Sequence, residues 1–252
     1  MAVPTHRYLL RHGPGADVRV TINDFPVHAG RTSSQDSHYG VINHWLVPGT
    51  NKMRVDILDG DPKNPAAMVN LDARGADAEP RAFISWIEGK GAVEPPPGHH
   101  WAGEATFEPD PGVPEPMWLR AKPEPVPPEG TPEIWDEVRG LRRAFETADA
   151  SAVVEAFALK AADTHQMVQL PWSTVEKTRE LMTSTLDVPW EVKPIAEKDV
   201  VFRSFAGDRL VHVGRVDGAA LFSARRLGPG EPVKVATELV FMRWDGRWRI
   251  IR

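Results

Sequence analysis

Apolar and polar residues alternate along the first hundred positions of the chain, and then the period changes. Residues 6–11, 18–22, 41–46, 53–58, 67–71 and 81–87 place apolar side chains at every second position, the pattern of strands with one buried face. Asn23-Asp24, Pro48-Gly49-Thr50-Asn51 and Asp59-Gly60-Asp61-Pro62 interrupt them with residue types that tolerate or preset turn dihedrals. Short strands at this spacing predict an antiparallel sandwich. Residues 100–107 and 117–122 are further candidate strands.

Beyond Thr131 the period becomes helical. Thr131 is a capping residue and Pro132 suits the first helical position, after which Ile134, Val138, Leu141 and Phe145 recur on one face. A second helix starts at Asp149 or Ser151 and carries Val154, Phe157, Ala161, His165 and Val168 as its stripe. Ser173 with Glu176 makes a capping box for a third helix, which runs to Leu186 and stops before Pro189. After Trp190 the period returns to two over residues 200–205, 210–214, 219–226, 233–244 and 247–252. Asp217-Gly218 and Asp245-Gly246 are predicted two-residue hairpin turns. Helices followed by an antiparallel meander predict an α+β layer pair.

The two patterns are separated by a belt from Pro95 to Pro132 that holds twelve of the 24 prolines. Proline supplies no backbone donor, so the belt should run extended. The predicted organisation is two domains, an all-β antiparallel sandwich followed by α+β. Residues 1–108 form the sandwich, 109–132 a proline-rich linker or strap, and 133–252 helices packed on a curled antiparallel sheet.

Composition narrows the function classes. The 252 residues suffice for two cores, and 41% hydrophobic with 26% charged residues is ordinary for a folded chain. The absence of cysteine excludes disulfides, thiolate metal sites and cysteine nucleophiles. No apolar run of signal-peptide or membrane-span length is present, so the expectation is a cytoplasmic chain without a membrane partner. Net charge is −5. Residues 1–132 hold 12 basic and 17 acidic side chains and the remainder 18 of each, so no basic footprint for nucleic acid exists.

Two resemblances rest on particular segments. Val18-Arg-Val-Thr-Ile-Asn-Asp-Phe-Pro-Val27 and Trp45-Leu-Val-Pro-Gly-Thr-Asn-Lys-Met-Arg-Val-Asp-Ile57 resemble the galactose-binding-like jelly roll, found as the amino-terminal domain of family 2 glycoside hydrolases. Phe145-Glu-Thr-Ala-Asp-Ala-Ser-Ala-Val-Val-Glu-Ala-Phe157 and Phe241-Met-Arg-Trp-Asp-Gly-Arg-Trp-Arg-Ile-Ile251 resemble the nuclear-transport-factor-like, or cystatin-like, cone fold. Enzymes of that fold place acid–base groups between helices and sheet. The resemblance thereby implies a pocket near Asp163, His165 and His212. The ketosteroid-isomerase branch uses a tyrosine, and here both tyrosines, Tyr8 and Tyr39, lie in the other domain.

Arg11-His12-Gly13 resembles the signature of histidine phosphatases, but a period-two segment follows where that family has a helix. Seven of the nine histidines lie in the first half, without helical pairing or facial-triad spacing, so neither a metal nor a cofactor is expected. The terminal hairpin is more informative. A two-residue Asp245-Gly246 turn pairs Trp244 with Arg247, Arg243 with Trp248, Met242 with Arg249 and Phe241 with Ile250. One face then carries Phe241 and Trp248, and the other Val240, Met242, Trp244, Arg247 and Arg249. The second face has the aromatic, methionine and arginine mix enriched at protein interfaces. The second face should be covered by the first domain, by a protein partner or by a second copy, and the leading expectation is a non-enzymatic protein-binding protein, such as an inhibitor or toxin-neutralising immunity protein. The alternatives are a cone-fold enzyme or small-ligand carrier using His165 and His212, and a carbohydrate-binding module with Trp45 or Trp86 as exposed stacking platforms.

Overall fold

Inward-facing side chains at alternate positions build the first half of the protein. The computed structural model describes residues 3–12, 15–31, 36–60, 66–71, 80–86, 88–168, 172–186, 188–216, 220–227 and 234–252. The chain divides into two compact units, Met1–Pro116 with Met167–Gln169, and Met117–Gln166 with Leu170–Arg252.

The first unit is all-β and antiparallel. Its strands are β1 (His6–His12), β2 (Asp17–Ile22), β3 (Phe25–Arg31), β4 (Asp36–Val41), β5 (Asn51–Asp59), β6 (Ala66–Leu71), β7 (Ala82–Ser85), β8 (Ala92–Val93) and β9 (Trp101–Phe107). They form a five-stranded sheet in the order β3-β2-β5-β9-β8 and a four-stranded sheet in the order β4-β1-β6-β7. Leu10, Val18, Val20, Ile22, Met53, Ile57 and Val69 are completely buried, and on β2 and β5 the apolar side chains Val18, Val20 and Ile22, and Met53, Val55 and Ile57, stand at alternate positions. Two such faces make a β-sandwich.

Two asparagines close its turns. Asn23 and Asp24 both adopt positive φ (51° and 66°), the left-handed geometry of a tight β2–β3 hairpin. The Asn23 amide donates to the Trp45 carbonyl and to Asn51 Oδ1, both at 2.8 Å, while its Oδ1 accepts from the Lys52 N–H at 2.9 Å. Asn51 is fully buried and hydrogen-bonds both backbone groups of Val47 and the Gly49 carbonyl, which closes the Pro48-Gly49 turn.

Three features of this unit depart from the periodicity. Residues 41–46 are the end of β4 and a 3-10 turn at Asn43–Trp45, and β3 and β4 precede them. Both strands lie at sheet edges, where Pro26, Gly30 and the polar run of β4 are tolerated because only one side joins a ladder. Residues 117–122 form a 3-10 helix, Met117–Arg120, instead of a strand.

The second unit combines four helices with antiparallel sheets. The helices are α1 (Pro132–Glu146), α2 (Ala150–Ala156), α3 (Ala158–Val168) and α4 (Trp172–Thr185). Thr131 Oγ1 caps α1 and Asp149 Oδ1 caps α2 by accepting the Ala152 N–H at 2.9 Å. The second predicted helix is broken at Phe157 into α2 and α3. The strands are β10 (Trp190–Val192), β11 (Val200–Phe205), β12 (Leu210–Arg215), β13 (Phe222–Arg226), β14 (Lys234–Thr237), β15 (Leu239–Trp244) and β16 (Arg247–Ile250). One sheet runs β11-β12-β15-β16 and the other β10-β13-β14.

A single core serves both sheets. Ile134, Val138, Leu141 and Phe145 of α1 join Trp190 and Phe222 of one sheet and Val211, Phe241, Trp248 and Ile250 of the other. Phe145 sits edge-on to Trp190, with ring centres 5.5 Å apart. The segment 233–244, read from the sequence as one strand, is β14 and β15 in different sheets, with Glu238 at the crossing. Both neighbours of β12 are therefore taken, β11 on one side and β15 on the other, and β12 does not form the expected hairpin with β13. Asp217-Gly218 itself, like the Asp61-Pro62 half of the expected Asp59–Pro62 turn, lies outside the described residues.

The part of the proline-rich belt that belongs to the second unit is tied down there. Pro128 accepts from the Phe202 N–H at 3.1 Å, the Glu129 carbonyl from Trp135 Nε1 at 3.0 Å, and the Glu124 N–H donates to the Asp208 carbonyl at 2.8 Å.

Candidate functional site

The terminal hairpin forms in the register that its turn demands. Trp244 pairs with Arg247, Arg243 with Trp248, Met242 with Arg249 and Phe241 with Ile250. Asp245 and Gly246 have φ of 49° and 75°, which an Asp-Gly pair supplies at low cost. Phe241, Trp248 and Ile250 enter the helix-covered core. The opposite face divides. Val240 and Met242 are buried (3% and 0% exposed), whereas Trp244 and Arg249 are half-buried and Arg247 is exposed. The accessible part is thus the hairpin tip, an indole flanked by two guanidinium groups.

The proposed pocket residues have separate partners. Asp163 on α3 is fully buried; its Oδ1 accepts the Met117 N–H at 3.1 Å and its Oδ2 accepts from the Arg252 guanidinium. Arg252 in turn donates its backbone N–H to the Val240 carbonyl. Lys160, one turn before Asp163, has its amine pushed below the ordinary lysine range by burial and then by the Arg252 charge. His165 is half-buried on the same helix. His212 is buried on β12, cross-strand from Val240, with Nε2 2.7 Å from Glu238 Oε2 and Phe205 edge-on at 6.1 Å. The carboxylate that meets His212 thus sits where the chain crosses between sheets, and the pair braces that crossing.

A second cluster, in the first unit, has no counterpart in the sequence reading. His6 is completely buried on β1. Its Nε2 lies 3.1 Å from both Asp110 Oδ2 and the Asp110 N–H. Arg81 clamps the same carboxylate with bonds of 3.0 and 2.6 Å. Burial pushes the His6 pKa down against the raising influence of Asp110. The Asp110 carboxyl is held below the usual range: burial pulls it upward, and the combined Arg81 and His6 contacts outweigh that. Asp110 also lines a groove of about 220 Å3 between residues 46–49 and 108–114, whose walls are mostly proline, glycine and aliphatic side chains. His6 and Asp110 stand 104 positions apart, so no local spacing could have announced the cluster.

The aromatic platforms proposed for sugar binding differ from expectation at one position. Trp45 is buried and stacks on Phe25 at 3.5 Å, because the asparagine-closed turn folds it inward. Trp86 is half-buried beside Trp101, with ring centres 5.6 Å apart. Among the described residues, no group of three or more His, Asp or Glu side chains is placed to hold a metal ion. Among them too, no helix is long and apolar enough to cross a membrane. Comparisons with protein-family models, with curated proteins and with solved structures return no match.

Proposed function

We propose that this chain is a non-enzymatic binding protein whose contact surface is the tip of its terminal hairpin. The observation that carries the reading is the cross-strand pair of half-buried Trp244 and exposed Arg247, with Arg249 beside them, on a turn that leaves little freedom. Tryptophan and arginine are the residues most often found as binding hot spots, and a rigid mount lowers the entropy cost of using them. Two arginines favour a protein partner with an acidic surface. An inhibitor or a toxin-neutralising immunity protein is the functional class we assign, acting in the cytoplasm.

In this reading the first unit is a jelly roll of the galactose-binding-like type used as a scaffold, and the second is a variant of the cystatin-like cone. The β-sandwich supports the first, with its asparagine-closed Pro48-Gly49 turn. The helices lying on antiparallel strands support the second.

The test compares capture of partners from the native cell by wild type, Trp244→Ala and Arg247→Glu. A protein retained by wild type and lost from both variants, with retention that weakens as salt rises, is the expected result. Equal retention by all three would remove the hairpin tip as the contact surface.

A further inference from the structure

One nitrogen of His6 faces two groups of a single residue and satisfies only one of them in each protonation state. The Asp110 N–H donates to Nε2 at 3.1 Å, which requires the Nε2 lone pair. Asp110 Oδ2 lies equally close, and that contact requires a proton on Nε2. A neutral ring that accepts the N–H carries its proton on Nδ1, which is buried without a hydrogen-bond partner among the described residues. An imidazolium ring has hydrogen on both nitrogens, so Nε2 turns from acceptor into donor to the carboxylate and the Asp110 N–H loses its acceptor.

The residue that undergoes this exchange opens a tight turn. The Val113 N–H donates to the Asp110 carbonyl at 3.4 Å, Pro111 presets the second position, and Gly112 has a φ of 97°, the geometry of a type II turn. The same four residues belong to the 108–114 wall of the groove. Arg81 grips the Asp110 carboxylate with bonds of 3.0 and 2.6 Å whichever atom His6 engages. A proton on His6 therefore frees the backbone of Asp110 while its side chain stays anchored.

We propose that His6 is a proton-operated latch on this turn: the neutral imidazole fixes the Asp110 N–H and with it the groove wall, and the imidazolium releases that N–H and loosens the wall. Asp110 and Arg81 are the charged groups that act on the ring. Elsewhere the residue meets Asn43, whose Oδ1 accepts the His6 N–H at 2.7 Å, and its register partner on β6 is the uncharged Leu71. Burial favours the neutral ring more than Asp110 favours the charged one, so the latch opens on the acid side of pH 6.5. The device lies in the first unit and does not depend on the hairpin-tip contact.

The test follows isotope-labelled full-length protein by nuclear magnetic resonance as pH is lowered through 6.5. Above that pH the imidazole nitrogen signals of His6 should report the Nδ1–H tautomer, and the Asp110 amide should be protected from hydrogen exchange. Below it both ring nitrogens should carry hydrogen. Protection of the Asp110 and Val113 amides, corrected for the intrinsic pH dependence of exchange, should then fall by about three- to tenfold, the weight of one hydrogen bond. The amide signals of Val20 and Val55, paired on the central strands β2 and β5, should stay in place, which separates release of the turn from unfolding. In His6→Gln the side-chain oxygen accepts the Asp110 N–H at every pH, so the pH dependence of protection should vanish. An Nε2–H tautomer above pH 6.5 would overturn the latch, as would Asp110 protection that ignores pH or an equal fall in His6→Gln. The wild-type imidazole and amide signals decide the matter even where the variant does not fold.

Discussion

Asp110 in the first unit and Asp163 in the second are both carboxylates that join distant stretches of chain, and they do so in opposite regimes. Asp163 is completely buried, and its partners include the Arg252 guanidinium, whose side chain is 14% exposed, and the Met117 N–H. Asp110 is 20% exposed and is shared between a buried imidazole and an arginine that is 44% exposed. Water reaches the Arg81 side of Asp110, whereas the Asp163 carboxylate is closed to it. The first arrangement is therefore a tether that answers to pH, and the second a structural bond. Both also hold the proline-rich belt, one through Asp110 itself and the other through the Met117 N–H.

The largest effect should come from Asp163→Ala. Removing one member of a buried ion pair leaves the other's charge uncompensated, which costs about 3–5 kcal/mol, and equilibrium denaturation should show it. A loss near that of an ordinary surface substitution would show that solvent already reaches Arg252 and would erase the contrast. Asp110→Ala should cost less, about 1.5–3 kcal/mol, because the partners it abandons include an exposed arginine. A cost equal to that of Asp163→Ala would make the two carboxylates alike.

Acid should separate the two clusters. The folded-state pKa of His6 lies below its ordinary value of 6.5, so the unfolded chain takes up the proton first. The stability that neutral His6 contributes is present above pH 6.5 and is lost as pH falls below it. The depressed Asp110 pKa adds a second loss as pH falls below 3.8. Denaturation midpoints measured against pH should show the first decline in wild type and not in His6→Gln. An unchanged profile in that variant would place the titrating group elsewhere. The smallest effect belongs to Arg81→Ala, about 0.2–1 kcal/mol, because exposed ion pairs contribute little even with good geometry. A larger cost would mean that Arg81, rather than His6, anchors the belt.

The same division between local and distant contacts governs what the chain reveals before it folds. Thr131-Pro132, Asp149 and Asp245-Gly246 announce element ends because capping and turn preferences act within a few residues. The full register of the terminal hairpin follows from its turn, and so do its two faces. The alternation over residues 18–22 and 53–58 marks β2 and β5, which are central strands buried on one face. The edge strands β3 and β4 carry no such alternation, since an edge need not be apolar to be held. The hairpin-tip residues were legible as a face, but which of them stay accessible was not. Nothing local distinguishes buried Met242 from half-buried Trp244.

The sequence by itself determined the all-β and α+β halves, the starts of α1 and α2 and the hairpin register, whereas α4 starts at Trp172, ahead of the capping box expected at Ser173. Each depends on side-chain period or on dihedral preferences of adjacent residues. Only the tertiary structure decided that the chain crosses between sheets at Glu238, that Asp163 meets Arg252 and Asp110 meets His6, and that His28 faces His38. Those outcomes join segments far apart along the chain. They are chosen by which strand edges and buried charges remain to be satisfied once the cores have closed, and no short stretch of residues carries that information.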